Sequence, residues 1–124
     1  MTSVLDVLVG ETLDAVVFVA DYSQVQFTID SRPERVNFGA WPEVAQTDRI
    51  YRFGEPGYRD AYCELIGRKV TGVVEWQTRG LGIEFDDRSL IITIAAGLAI
   101  GPYEIADFRT WIWRSDLPPF GGTS

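Results

Sequence analysis

The feature that most constrains this fold is a two-residue alternation of apolar and polar side chains between Leu65 and Ile94. In the segment GLGIEFD the apolar positions are Leu81, Ile83 and Phe85, and the segment SLIITI resumes the alternation after the turn-like sequence DDR. This period is that of a β-strand with one buried face. Because the connections are too short for a parallel crossover, the stretch predicts consecutive antiparallel strands.

The same pattern occurs earlier in the chain. The segment LVGETLDAVV (Leu8–Val17) aligns without gaps on LIGRKVTGVV (Leu65–Val74), and VQFTID then matches LGIEFD after a slip of one residue. Self-similarity of this kind indicates an internal repeat. We predict an internal duplication with copy one at about 3–38, copy two at about 57–95 and a C-terminal strand and tail at 103–124.

The predicted fold class is α+β within a single domain, 1–124. It is mainly antiparallel β, built from two duplicated α-β-β-β meander units with short helices packed on the sheet, and holds about six or seven strands. The predicted helices are Ser3–Val9 and Gly57–Ile66, each ended by a glycine. The stretch 39–56 breaks the pattern and is predicted to be an irregular connection.

Catalytic and metal chemistry is restricted by composition. The chain has no histidine, which is the commonest general base at neutral pH, and a single cysteine, Cys63. Nucleophile–histidine pairs and the usual structural zinc sites are therefore excluded within the chain. Cys63 lies on a predicted helix, where we expect a small buried thiol. We predict no cofactor, no metal site and no enzymatic activity.

The net charge of −7 disfavours binding to nucleic acid and favours a basic protein partner. The segment MTSVLDVLVGETLD lacks the basic residues of a secretory signal, and no apolar run approaches the roughly 18 residues that span a bilayer. A single cysteine excludes an intrachain disulfide. We therefore expect a cytoplasmic protein that does not bind membranes.

The segment Arg49–Tyr62, RIYRFGEPGYRDAY, interleaves arginines with aromatic side chains. Both residue types are enriched at binding hot spots, and connections between rigid units often carry function. The carboxylates at the predicted hairpin would steer a basic partner. The predicted partner-binding residues are Tyr51, Arg52, Tyr58, Arg59, Glu84, Asp86 and Asp87. The alternative is that the aromatic residues cover the sheet and the arginines pair with surface carboxylates.

Other functions stay open. The four tryptophans could line a small-ligand pocket formed by Trp41, Trp76, Trp111 and Trp113. A carboxylate-dependent hydrolase is the least favoured reading, because few acid–base partners are available. A homodimer through unpaired edge strands is a further alternative.

The run LIGRKVTGVV…LGIEFDDRSLIITI, followed by GPYEIADF and a Trp-containing strand, resembles small uncharacterised bacterial proteins. In those proteins a G-x-x-V strand leads into an L-x-F-D-D-G-S hairpin. The resemblance to immunity-protein-like families implies an immunity- or inhibitor-type protein that occludes a basic partner, such as a toxin nuclease. Arg88 stands where the pattern has glycine, and the similarity transfers no functional residue.

Overall fold

The computed structural model describes residues 4–20, 22–76, 80–92, 104–109 and 111–114. Within these residues the chain forms one 3₁₀ helix, ten β-strands and one α-helix. In chain order they are the 3₁₀ helix Val4–Leu8, β1 Leu13–Phe18, β2 Ser23–Ile29, β3 Arg32–Phe38, β4 Glu43–Ala45, β5 Ile50–Tyr51, α1 Tyr58–Cys63, β6 Gly72–Trp76, β7 Gly80–Phe85, β8 Arg88–Ile92, β9 Glu104–Phe108 and β10 Trp111–Arg114.

The strands form two five-stranded sheets, in the orders β1-β2-β3-β9-β10 and β5-β4-β8-β7-β6. Every pairing between neighbouring strands is antiparallel. The predicted mainly antiparallel β architecture with little helix is therefore confirmed. No helix in the described part of the chain is long and apolar enough to cross a membrane.

Both sheets contribute to one hydrophobic core. In β7 the predicted apolar positions Leu81, Ile83 and Phe85 are all buried, whereas Glu84 between them is exposed. Strand β2 shows the same alternation, with its buried apolar residues at every second position. The two-residue period thus identified the buried face of both meanders, because alternate side chains of a strand point to opposite faces.

The prediction of an irregular connection at 39–56 was wrong, because this stretch contains β4 and β5. β4 has three residues and β5 has two, which is too short for an alternation to be recognised. Both strands form through pairing with the second sheet, since β4 pairs with β8 and β5 pairs with β4. Two further strands, β9 and β10, extend the first sheet in the same manner.

Helix α1 is shorter than predicted, and Cys63 is exposed rather than buried. The buried stripe of the helix consists of Tyr58, Ala61 and Tyr62. Cys63 follows Tyr62 by one residue, which turns its side chain about 100° away from the stripe. Desolvation raises the pKa of the Cys63 thiol, and the charge of Asp60 adds to this effect. The thiol form is therefore favoured, which is the opposite of nucleophile activation.

A short antiparallel pairing, which we call the seam, joins residues 10–13 to residues 67–70. Its centre is a bridge between Thr12 and Lys69. Four backbone hydrogen bonds hold it: Gly10 N–H to Val70 C=O (2.8 Å), Gly67 N–H to Leu13 C=O (2.8 Å), Leu13 N–H to Arg68 C=O (2.9 Å) and Val70 N–H to Glu11 C=O (2.9 Å). In the alignment of the two segments, Gly10 corresponds to Gly67 and Leu13 to Val70. When the two segments are exchanged in this way, each of the four hydrogen bonds corresponds to another of the four.

The equivalence of the two segments extends beyond the hydrogen bonds of the seam. Gly10 and Gly67 occupy equivalent positions and have nearly equal φ values of +91° and +89°. The 3₁₀ helix contacts β6, which is the first strand of the second meander, and α1 contacts β1, the first strand of the first meander. The seam bonds, the two glycines and these helix–strand contacts are therefore approximately equivalent when the two segments are exchanged.

The seam glycines provide the first testable prediction. A positive φ of this size disfavours any Cβ, while nothing lies within 4 Å of a Cβ built on Gly10 or Gly67. Gly10→Ala and Gly67→Ala should therefore each lower the free energy of unfolding by about 1–2 kcal/mol through backbone strain alone. Urea denaturation measures the loss.

Gly10→Asn is the matched control for this prediction. It should cost less than Gly10→Ala, because asparagine tolerates the left-handed region better. Losses below about 0.5 kcal/mol for both alanine variants would contradict the assigned backbone conformation.

Candidate functional site

Five aromatic side chains form a closed cycle, which we call the aromatic cluster. Neighbouring ring centroids are 4.2 to 6.5 Å apart, and each pair is stacked or edge-to-face. In order around the cycle the members are Phe18, Trp41, Phe53, Tyr58 and Tyr62. They come from β1, from the approach to β4, from the loop after β5 and from α1, so the cluster fixes four separate segments against each other.

The inner half of the cluster is buried and fully hydrogen-bonded. The Tyr62 hydroxyl lies 2.8 Å from the Ser23 hydroxyl, and both residues are inaccessible to solvent. The Tyr58 hydroxyl donates to the Pro42 carbonyl at 2.5 Å. Burial raises the pKa of both phenols well above the usual value. Each hydroxyl is thus held in its neutral form by apolar surroundings.

The outer half of the cluster reaches the surface through Phe53. Its ring stacks on Trp41 with a centroid distance of 4.2 Å and an interplanar angle of 14°. Phe53 is nevertheless 49% exposed, which is the largest exposure among the big apolar side chains of the described residues. Stacking therefore holds a large apolar group in a defined position while half of it faces solvent.

An open pocket of about 280 Å³, which we call the Phe53 pocket, lies beside this ring. Its lining residues come from the loop after β5 and the start of α1: Phe53, Gly54, Glu55, Gly57, Tyr58, Arg59 and Asp60. Gly57 has a φ of +85°, and a Cβ there would come within 3.1 Å of the Tyr51 ring. Tyr51 therefore packs directly beneath the pocket wall, and only glycine fits at residue 57 without a shift.

Three arginine side chains of the arginine–aromatic segment make different contacts. The Arg59 guanidinium carbon lies 5.2 Å from the Phe18 ring centroid, and that of Arg49 lies 4.3 Å from the Tyr51 centroid. Both distances are within the range of cation–π attraction. Arg52 instead forms an ion pair with Glu43 at 2.8 Å. The predicted alternative, in which the arginines pair with carboxylates, therefore describes Arg52, whereas Arg49 and Arg59 lie over aromatic rings.

The predicted steering carboxylates lie elsewhere on the second sheet. Asp86 and Asp87 form the exposed turn between β7 and β8, and Glu84 is exposed on β7. Asp87 forms an ion pair with Arg88 at 3.0 Å. Glu84 on β7 is three strand spacings, or about 14 Å, from the strand of Tyr51. Asp87 is closer to that strand, because its carboxylate accepts a hydrogen bond at 3.3 Å from the hydroxyl of Thr47 in the β4–β5 connection. The two predicted groups share a sheet, and none of the three carboxylates lines the Phe53 pocket.

The predicted contact residues of this segment differ in their exposure to solvent. Arg52 and Arg59 are exposed, the first directly before Phe53 and the second in α1, and Tyr51 is partly buried. Tyr58 is only 2% exposed, so it walls the pocket and supports Phe53.

The predicted tryptophan pocket is described only in part. Trp41 belongs to the aromatic cluster, where it is flanked by Phe18 and Phe53. The side chains of the other three tryptophans, Trp76, Trp111 and Trp113, lie outside the described residues. Phe18 joins the site from β1, and no local signal in the sequence marks it. Phe53 belonged to the arginine–aromatic segment that the sequence had singled out.

The described residues contain no group of three cysteine, aspartate or glutamate side chains placed to hold a metal ion. Comparisons with protein-family models, curated proteins and solved structures find no match to the chain. The functional proposal below therefore rests mainly on the geometry of the site.

The raised pKa values of Tyr58 and Tyr62 predict a specific alkaline instability. In the unfolded chain each phenol ionises near pH 10, whereas burial in the folded protein keeps it protonated to higher pH. These groups should leave stability unchanged below about pH 10 and lower it above, by up to about 1.4 kcal/mol per pH unit for each phenol. Urea unfolding between about pH 7 and 11 measures the slope.

Tyr62→Phe should reduce that alkaline slope. At neutral pH it should cost about 1–2 kcal/mol, because the buried Ser23 hydroxyl loses its partner. Ser23→Ala is the control, since it removes the same hydrogen bond but keeps the phenol and so should keep the slope. An equal slope in Tyr62→Phe and the unaltered protein would contradict the assignment.

Proposed function

We propose that this chain is a non-enzymatic, cytoplasmic binding protein of the immunity or inhibitor type, which occludes a basic protein partner. The observation that carries the proposal is the half-exposed Phe53, which stacks on Trp41 and directly follows the exposed Arg52 in the chain. Exposed aromatic and arginine side chains dominate binding hot spots. An anchor that is already held in place loses little conformational entropy on binding. The resemblance of the second meander to immunity-protein-like families supports the same proposal.

Charge supports a basic partner. The chain carries a net charge of −7, and Glu84, Asp86 and Asp87 are exposed on the second sheet. Opposite fields accelerate the encounter of two proteins without requiring direct contact. The proposed mechanism therefore separates two tasks: the carboxylates attract the partner, and the region around Phe53 makes the contact that covers the partner's functional surface.

A second candidate is a small-ligand-binding module. The observation that favours it is the Phe53 pocket, in which an aromatic wall meets polar groups. Its volume of about 280 Å³ lies just below the range of roughly 300–1,000 Å³ typical of small-molecule sites, and the pocket is open. These dimensions suit a single inserted side chain better than an enclosed ligand, so we rank this function second.

We also propose that the two meander units, at about 3–38 and 57–95, arose by internal duplication. The exchange relation of the four seam hydrogen bonds supports this origin. Equivalent buried positions in the two meanders support it further, for example Val25 with Leu81 and Phe27 with Ile83. Trp41 and Phe53 lie between the copies, in the segment that the repeated scaffold leaves free to vary.

The proposed contact surface is tested by affinity capture from the source organism at low and high salt. The unaltered protein should retain one basic protein at low salt and lose it at high salt, because screening weakens the attraction of opposite charges. Phe53→Asp should reduce affinity for that protein roughly 30-fold or more, as expected for the loss of a hot-spot anchor.

Ile112→Asp is the matched control for this test. Ile112 is 41% exposed but lies on β10 of the other sheet, so the same change there should leave capture intact. Equal loss of the captured protein in both variants would contradict the proposed surface. If the unaltered protein captures nothing specific at either salt, the protein-partner function is wrong.

The proposed steering role has its own kinetic signature. Glu84→Gln combined with Asp86→Asn should slow association with the captured protein by about 2- to 5-fold at low salt and leave dissociation nearly unchanged. Surface plasmon resonance separates the two rates. A change confined to dissociation would instead indicate direct contact at these carboxylates.

A further inference from the structure

We infer that the Phe53 pocket receives a basic side chain of the partner, and that arginine fits it best. This inference rests on the proposed function, because it identifies the group on the partner that the region around Phe53 recognises. The pocket-lining residues include two acidic residues, Glu55 and Asp60, and one basic residue, Arg59. The charge of the lining therefore favours a cation.

Both carboxylates are available to a ligand. One oxygen of Glu55, Oε1, accepts the backbone N–H of Arg52 at 2.6 Å, which fixes the carboxylate beside the pocket. The described residues provide no ion pair to Glu55 or to Asp60 and no side-chain hydrogen bond to Asp60. Carboxylates without a cation partner at a pocket wall form charge-assisted hydrogen bonds with an incoming donor.

The aromatic wall selects arginine over lysine. A cation within about 6 Å of an aromatic ring is attracted by the ring's quadrupole, and Phe53 presents half of its surface to solvent. The planar guanidinium can stack on such a ring while its edge donates two hydrogen bonds to a carboxylate. An ammonium group is a compact point charge and satisfies both contacts less well. Gly54 and Gly57 have no side chain and leave the approach open.

The positive charge of Arg59 distinguishes a cationic ligand of the pocket from an anionic one. Its guanidinium carbon lies 5.2 Å from the Phe18 ring centroid, and Arg59 is also one of the pocket-lining residues. If the ligand is a cation, Arg59 opposes it. If the ligand is an anion, Arg59 attracts it, and Glu55 and Asp60 oppose it. The two ligand classes therefore predict opposite effects of neutralising these side chains.

The test is a nuclear magnetic resonance titration of the full chain with the peptide Gly-Gly-Arg-Gly-Gly. The backbone amides of Gly54 and Gly57 report on the pocket. Parallel titrations use the same peptide with citrulline, which is the neutral isostere of arginine, with lysine and with glutamate. We expect saturable shifts with arginine, weaker binding with lysine, and no saturation with citrulline or glutamate.

Neutralising variants then decide the sign of the ligand charge. Glu55→Gln and Asp60→Asn should each weaken binding of the arginine peptide by about 3- to 10-fold, and Arg59→Gln should tighten it by about 2- to 5-fold. Asp30→Asn is the matched control, because it removes one carboxylate at the exposed β2–β3 turn of the other sheet. It should change the affinity by less than about 2-fold, since salt screens charges beyond the Debye length.

Three results would overturn the inference. They are equal binding of the citrulline peptide, effects of Glu55→Gln and Asp60→Asn no larger than that of Asp30→Asn, and absence of pocket shifts at about 20 mM arginine peptide. Weaker binding in Arg59→Gln together with binding of the glutamate peptide would assign the pocket to an anion. Capture of a basic protein that depends on Phe53, combined with a failed titration, would keep the proposed function and remove only this inference.

Discussion

The backbone pairing at the seam is the constraint on which the rest of the structure depends. It pairs the segments that lead into β1 and β6, the first strands of the two meanders, each of which is the terminal strand of its own sheet among the described strands. Exposed sheet edges invite unwanted pairing, and the seam gives each edge a partner where the strand begins. Because the seam fixes the two sheets relative to each other, it also determines which apolar faces share the core.

The aromatic cluster depends on that placement. Its members come from β1, from the segments just before β4 and just after β5, and from α1. Their mutual contacts exist only once β1 and β4 have been brought to the same helix. The buried tyrosines hydrogen-bond to Ser23 and Pro42, so their hydroxyls cost little to bury. The inner rings can then support an outer ring that is half exposed. Stability and presentation of the site therefore come from the same set of contacts.

The position of the site follows from the organisation of the chain. Repeated units place equivalent residues at equivalent positions, which leaves the segment between them free of that restriction. This segment contains β4 and β5, which extend the second sheet, and it carries Trp41, Phe53 and Glu55. A rigid scaffold with a variable connection is a common way to build a binding surface, because the scaffold supplies the stability that the surface does not.

The sequence by itself determined the antiparallel strands of both meanders and their buried faces, because the two-residue period is a local property of an extended backbone. It also marked the arginine–aromatic segment that contains Phe53. It could not reveal β4 and β5, whose few residues become strands only through pairing with β8. Nor could it reveal that Phe18 completes the cluster, or that Cys63 is exposed. Those features depend on contacts between residues far apart in the chain, and only the tertiary structure decides such contacts.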